Sequence, residues 1–252
     1  MEEIPQTVVP QPIDPPPPTL DLLDVEATRL RGVYARRNRK YVWSSLSYEF
    51  GSQERERKTL ELLRRYECMP LTDKTILDVG CGSGTWLLQF IRWGARSENL
   101  TGLDLRPDAL GRARNALSAG VRLEMGNAAA LPFEGEAFDI VLQSTMFTSV
   151  LDPAIRQQIA SEMLRVLKPN GMILWYDFHV DNPANPDVRG VPKRELFSLF
   201  SGCKFDLHRV TLVPPVLRWI APRSWFLTYL LSNVPPFCTH YLGVITKLSA
   251  RV

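Results

Sequence analysis

Ile76-Leu77-Asp78-Val79-Gly80-Cys81-Gly82-Ser83-Gly84-Thr85-Trp86 is the stretch on which the fold turns. Ile76 to Val79 is an apolar run suited to a buried strand, Gly80, Gly82 and Gly84 alternate after it, and Trp86-Leu87-Leu88-Gln89-Phe90-Ile91 reads as a helix. Glycine has no Cβ, so the backbone can turn sharply there and let a ligand approach. The following helix would point unpaired N–H groups at whatever occupies the loop. A nucleoside-containing cofactor suits that geometry.

One helix length further on, Asn99-Leu100-Thr101-Gly102-Leu103-Asp104-Leu105 reads as a second strand ending in a carboxylate. An open α/β sheet presents an acceptor for two ribose hydroxyls at that place. The dinucleotide pattern G-x-G-x-x-G would need glycine at 85 or 87, where the chain has Thr85 and Leu87. The spacing present is D-x-G-x-G-x-G from Asp78 to Gly84, the motif of class I S-adenosylmethionine-dependent methyltransferases, which this sequence resembles.

The resemblance extends over roughly residues 74–180. Gly126-Asn127-Ala128-Ala129-Ala130-Leu131-Pro132-Phe133 is similar to that family's adenine-binding turn, and residues 137–142 to its fourth strand. Residues 163–171 resemble the helix exit and turn before its fifth strand, 172–178. The resemblance implies a Rossmann-like α/β fold: a mostly parallel seven-stranded sheet with helices on both faces, the last strand antiparallel, and an N-terminal helical cap. It also implies S-adenosylmethionine as cofactor, with Gly80, Gly82 and Gly84 for backbone approach, Asp78 for the methionine ammonium and Asp104 for the ribose. Leu105 would lie against the adenine face, Asn127 and Ala128 would bind adenine, and Gln143 would lie along the methionine. Asn127 stands where many members have aspartate; its side-chain oxygen can still accept from the adenine amino group.

A length of 252 residues, 45% of them hydrophobic, suffices for one α/β domain. The chain divides into a Pro-rich tail over 1–19, a helical cap over 20–70 and the methyltransferase-like domain over 71–252. The expected elements are helices over 22–40 and 51–66, then strand 75–79, helix 84–94, strand 100–104, helix 107–119, strand 121–125, strand 138–143, helix 153–167 and strand 171–178. A helix over 193–200 and strands over 205–213 and 240–247 complete the pattern. The N-terminus has no basic region followed by an apolar core, so no signal peptide is expected. Cys68, Cys81, Cys203 and Cys238 form no C-x-x-C pair, which argues against a disulfide framework or a metal site and for a reducing cytoplasm.

A net charge of +3 is too mild to nominate nucleic acid as a partner, and no aromatic-interleaved basic module is present. Residues 29–40 nevertheless carry Arg29, Arg31, Arg36, Arg37, Arg39 and Lys40 without an acid. They form either a solvated helix face or a clamp for an anionic acceptor or membrane surface. Residues 214–237 interrupt the final strand pair with prolines around an apolar stretch containing Trp219, Trp225, Phe226 and Tyr229; Arg218 and Arg223 break it below spanning length. These aromatics either pack over the sheet or form a lid and peripheral membrane contact at the inner face of the membrane.

Methyl transfer is an in-line displacement that needs alignment and water exclusion more than acid or base groups. Candidates for a base are His179 and Asp177, just after the fifth strand, where ligands bind in open α/β sheets. Tyr41, Asn182, Asn185 and Arg189 are candidate acceptor contacts. Across most of the chain the resemblance is to bacterial methyltransferases encoded among glycan and polysaccharide assembly enzymes, which implies a sugar or lipid-linked sugar acceptor. Similarity of residues 130–139 to quinone and sterol C-methyltransferases implies a prenylated acceptor instead. A cofactor-binding partner subunit without turnover is the third reading.

Overall fold

The computed structural model describes residues 19–36, 45–183 and 185–248. The expected tail, apart from Thr19, and Tyr41, Arg37, Arg39 and Lys40 lie outside the described residues. Strand β1 (Ile76–Val79) is buried at all four positions, the pattern of a central parallel strand covered on both faces. Strands β2 (Leu100–Asp104) and β4 (Phe138–Ser144) flank it in parallel, with β3 (Arg122–Met125) at the edge beside β2. β5 (Leu167–Phe178) continues in parallel beside β4. β7 (Cys238–Lys247) then runs antiparallel between β5 and β6 (Cys203–Leu212), giving the order 3-2-1-4-5-7-6.

Strand alternation divides the core between the two faces of the sheet. Leu77, Val79, Val141, Ile173 and Trp175 face α5 (Pro153–Val166) through its Ile155, Ile159 and Met163. Ile76, Ile140, Leu142 and Leu174 face α2 (Leu46–Arg65), α3 (Thr85–Arg92) and α4 (Pro107–Ala116) through Leu62, Leu63, Leu87, Phe90 and Leu110. α2 starts five residues before the expected position because Ser45 caps it, its hydroxyl accepting from Tyr48 N. β5 begins at Leu167, which pairs with Phe138, so the last residue of the expected helix and the turn expected over 168–170 are already strand.

α1 (Leu20–Arg36) packs Leu22, Leu23 and Leu30 onto the first of these cores. Its buried Glu26 accepts from Leu151 N at 2.9 Å and from the Arg29 guanidinium at 2.7 Å, and Arg29 also donates to the Ser149 carbonyl. Arg29 is thereby a structural tie, whereas Arg31 and Arg36 are exposed. The segment 214–237 folds into α7 (Pro214–Ile220) and α8 (Trp225–Ser232), following α6 (Lys193–Leu199) and β6 in the chain.

Candidate functional site

The carboxyl ends of β1, β2, β4 and β5 open into one cavity of about 1200 Å³, walled by α1 and α2. Open parallel sheets bind ligands at this edge. The glycine loop is held down from the next strand: Gly80 N and Cys81 N donate to the Leu103 carbonyl at 2.7 and 3.0 Å, and Gly82 N donates to Asp104 Oδ2 at 2.8 Å. Gly82 has φ +56°, and a Cβ there would meet nothing within 4 Å. At Gly80, φ +76°, a Cβ would come within 2.8 Å of Met146 Cγ. The loop therefore needs glycine for conformation at both positions and keeps space open over Gly82.

Asp104 also accepts from Arg106 N at 2.9 Å, with the Arg106 side chain at 3.6 Å. That guanidinium sits 4.3 Å from the centre of the Tyr34 ring, linking α1 to the loop. Asp78 lines the cavity while 1% exposed, and its Oδ2 has no hydrogen-bond partner among the described residues. Burial, reinforced by the neighbouring Asp104 charge, pushes its carboxyl up to about 8. An orphaned acceptor next to a glycine cradle is what a cofactor bearing an ammonium group would complete. The residues present fit S-adenosylmethionine.

Leu105, Asn127 and Ala128 line the same cavity. One lone pair of Asn127 Oδ1 is taken by Ala129 N at 3.0 Å, so the amide braces its own turn and retains one acceptor position. Gly84 caps α3 and lines a smaller neighbouring cavity of about 540 Å³ instead. Gln143 is fully buried beneath the floor and does not line the cavity; its Oε1 accepts from Met146 N at 3.3 Å and its Nε2 has no partner.

The structure corrects both candidate bases. Tyr176, Phe178 and Val180 line the cavity, so the side chains of Asp177 and His179 between them point away. Asp177 is fully buried, accepts from Thr148 N at 3.2 Å and Phe178 N at 2.9 Å, and is pushed by burial to about 7. His179 Nε2 donates to the Cys238 carbonyl at 2.9 Å, and burial lowers its pKa. Asn182 and Asn185 do line the cavity. Arg189 does not: its guanidinium is paired with Glu195 at 2.7 Å, which fixes the loop rather than binding a ligand. Tyr41 lies outside the described residues.

Several cavity residues escape sequence reasoning. Arg55 places its guanidinium 5.5 Å from the Trp86 ring centre and 5.2 Å from that of Tyr176. His240 stacks on Tyr176 at 4.8 Å and 7°. Thr239 Oγ1 donates to the Thr211 carbonyl at 3.2 Å, so His240 Nδ1 donates to Thr239 Oγ1 at 3.0 Å and Nε2 keeps the lone pair. Burial, with the Arg55 charge next, drives His240 down to about 3 and keeps it neutral. Thr211 Oγ1 and the Tyr176 hydroxyl lie 2.9 Å apart, and Thr211 N donates to Glu54 Oε2 at 3.2 Å. Burial raises Glu54 to about 7. Thr145 and Thr211 both line the cavity with positive φ, 54° and 65°, a left-handed backbone that β-branched residues rarely adopt. Such strain concentrates at functional sites. The signal available in the sequence was register: β7 sets His240 opposite Phe178, on the cavity face.

With this geometry in place, the comparisons with known proteins converge. Residues 76–171 match the model of a family described as a methyltransferase domain. The chain has the Rossmann-like methyltransferase fold. It superposes with a TM-score of 0.54 on a methyltransferase of Methanosarcina mazei described as SAM-dependent, at 21% identity over 71% of this chain and 94% of that one. With the [4+2]-cyclase SpnF the TM-score is 0.58, at 18% identity over 93% and 99%. These likenesses establish the fold. Among curated relatives, an uncharacterized protein of Haemophilus influenzae is 39% identical over 111 residues, 42% of this chain and 43% of the relative. A demethylmenaquinone methyltransferase of Staphylococcus aureus is 35% identical over 100 residues, 39% and 40% of the two chains. The chain thus spans about two fifths of the length of the curated relatives it matches.

Proposed function

We propose that this protein transfers the methyl group of S-adenosylmethionine to a small acceptor with a polar head and an apolar portion, a lipid-linked sugar first among them. The observation that carries the reading is the continuity of one cavity. It joins the glycine loop and its orphaned Asp78 oxygen to an end built from Arg55, Tyr176, His240 and Leu217. Its volume of about 1200 Å³ exceeds the ~300–1,000 Å³ typical of a site for one ligand, which leaves room for two molecules.

The cofactor supplies a methyl group on a sulfonium. Asp78 would hold its ammonium, Asp104 its ribose hydroxyls, and Asn127, Ala128 and Leu105 its adenine. At the other end, neutral His240 offers Nε2 as a hydrogen-bond acceptor that orients an acceptor hydroxyl. With a pKa of about 3 it positions that hydroxyl rather than storing its proton. Arg55 supplies positive charge for an anionic group of the acceptor, and the aromatic walls exclude water from the displacement.

A prenylated quinone is the second reading, favoured by the relative whose name is demethylmenaquinone methyltransferase. A partner subunit that binds cofactor without turnover is the alternative outside catalysis. Incubation with methyl-labelled S-adenosylmethionine and cell extract separates the three. A labelled lipid carrying sugar, with S-adenosylhomocysteine formed in step, is the expected result. A labelled quinone selects the second reading, and cofactor binding without S-adenosylhomocysteine from any extract selects the third.

A further inference from the structure

α8 is built inside out. Its buried residues are Thr228 and Ser232, whereas Phe226 is 72% exposed and Leu227, Tyr229 and Leu230 are exposed as well. The two buried hydroxyls are satisfied within the helix itself, Thr228 Oγ1 donating to the Ser224 carbonyl at 2.8 Å and Ser232 Oγ to the Tyr229 carbonyl at 2.9 Å. An apolar outer face on a helix whose inner face is polar is the reverse of a water-exposed helix, and it implies an apolar surrounding. The neighbouring Trp219, on α7, is 62% exposed, and Phe237 is 48% exposed. The pair of helices is nevertheless firmly seated: Trp225 meets Phe50 edge-on at 5.2 Å, and Leu217 and Ala221 pack with Phe50 and Leu212. The exposed side chains are therefore presented outward by a fixed platform.

The segment itself carries charge of one sign. No Asp or Glu occurs anywhere in residues 207–252, and Arg218 and Arg223 lie within the apolar segment. Arg223 stands over the Trp219 ring at 4.9 Å, and Arg57 of α2 stands 5.6 Å from the Tyr229 ring centre. In a two-fold dimer about this face, arginine would meet arginine with no carboxylate of the segment to pair with. Aromatic and leucine side chains among arginines instead complement the boundary between acyl chains and anionic headgroups. Pro214, Leu217 and Arg218 of the same segment line the cavity. No helix among the described residues is long and apolar enough to cross a membrane, so the contact is one of lying on a surface.

We propose that α7 and α8 form a docking face for an anionic lipid bilayer, which brings the mouth of the cavity to the membrane so that an apolar acceptor enters from it. Only the second clause rests on the acceptor reading above; the docking is measured without any methyl transfer. The test is flotation of the full chain with vesicles of phosphatidylglycerol and phosphatidylcholine, against phosphatidylcholine alone, at low and at 0.5 M salt (roughly a 4 Å Debye length). Binding to the anionic vesicles that weakens with salt is expected. Phe226→Ser with Leu230→Ser lowers the partition coefficient by about 100-fold through lost apolar burial. Arg223→Gln lowers it by about five-fold, the loss of one basic residue at the surface. Phe226, Leu230 and Arg223 are exposed and do not line the cavity, and unchanged circular dichroism and S-adenosylmethionine binding verify that the variants fold. Absence of vesicle binding by the wild-type chain overturns the proposal, as does light scattering that shows a dimer which Phe226→Ser with Leu230→Ser dissolves.

Discussion

Asp78→Asn tests the cofactor site through the free protein as well as the complex. In the folded chain the Asp78 carboxyl is raised from 3.8 to about 8, first by burial and then by Asp104. Between those two values the folded state holds a proton that the unfolded state has lost. The associated stability is fully present below about pH 3.8 and is lost as pH rises toward 8. One proton corresponds to ~1.4 kcal/mol per pH unit. Glu54 and Asp177, both raised to about 7, titrate over much of the same range, so the wild-type curve alone does not isolate Asp78. The difference between Asp78→Asn and wild type does, because the substituted amide has no proton to lose and its packing cost is the same at every pH. From pH 5.5 to 7.5 that difference should move by ~2–3 kcal/mol in favour of the variant, or roughly 5–10 °C in melting temperature for a chain of this size. Thermal melts at the two pH values measure it, and S-adenosylmethionine should raise the melting temperature of the wild type only. A difference that does not change between pH 5.5 and 7.5 would refute the reasoning, since it would mean that Asp78 is already ionised and partnered in the free protein.

Asp104→Ala should weaken S-adenosylmethionine by ~1–3 kcal/mol, roughly 5- to 150-fold in Kd by calorimetry, through lost charge-assisted bonds; an unchanged Kd in the folded variant removes Asp104 from the site. His240→Phe keeps a ring against Tyr176 but deletes the Nε2 acceptor, so kcat should fall by ~10- to 100-fold with cofactor affinity intact. Because burial holds this ring near 3, it contributes no limb around pH 6.5 to the wild-type rate profile; a limb there that vanishes in His240→Phe contradicts the assignment. Arg55→Gln should raise KM for an anionic acceptor and leave the cofactor Kd unchanged, whereas a weakened cofactor with unchanged KM moves Arg55 to the methionine carboxylate.

The cofactor half of the site is legible because its residues are local in sequence. Asp78, Gly80 and Gly82 lie within five positions, and Asp104 ends the adjacent strand, so spacing alone brings them together. The other end of the cavity is assembled from α2, β5, β6 and β7, and no short motif records that convergence. The misplacement of Asp177 and His179 has a definite origin. Both do lie at the end of β5, but a strand alternates its faces, and the even-numbered Tyr176, Phe178 and Val180 take the cavity. His240 lies more than sixty residues away from them and arrives only through antiparallel register with Phe178. The left-handed backbone of Thr145 and Thr211 has no sequence signal, since Thr211 falls inside the expected strand over 205–213 and Thr145 just beyond the one over 138–143.

α2 explains how the two halves are held in a fixed relation. Consecutive residues of it reach different partners: Glu54 accepts from Thr211 N, and Arg55 lies near the Trp86 and Tyr176 rings in the cavity. The Glu54 bond falls on the residue whose backbone is left-handed, where a conformational cost of ~1–3 kcal/mol must be offset by surrounding contacts. Thr211 in turn braces Tyr176 through its hydroxyl and, through its carbonyl and Thr239, fixes the tautomer of His240. One helix thus locks the strained strand that orients the Tyr176 and His240 rings and also places the Arg55 charge between them and the glycine loop. For an in-line displacement, whose rate depends on holding nucleophile and methyl group at a set distance and angle, this bracing constrains the geometry without requiring a titrating group.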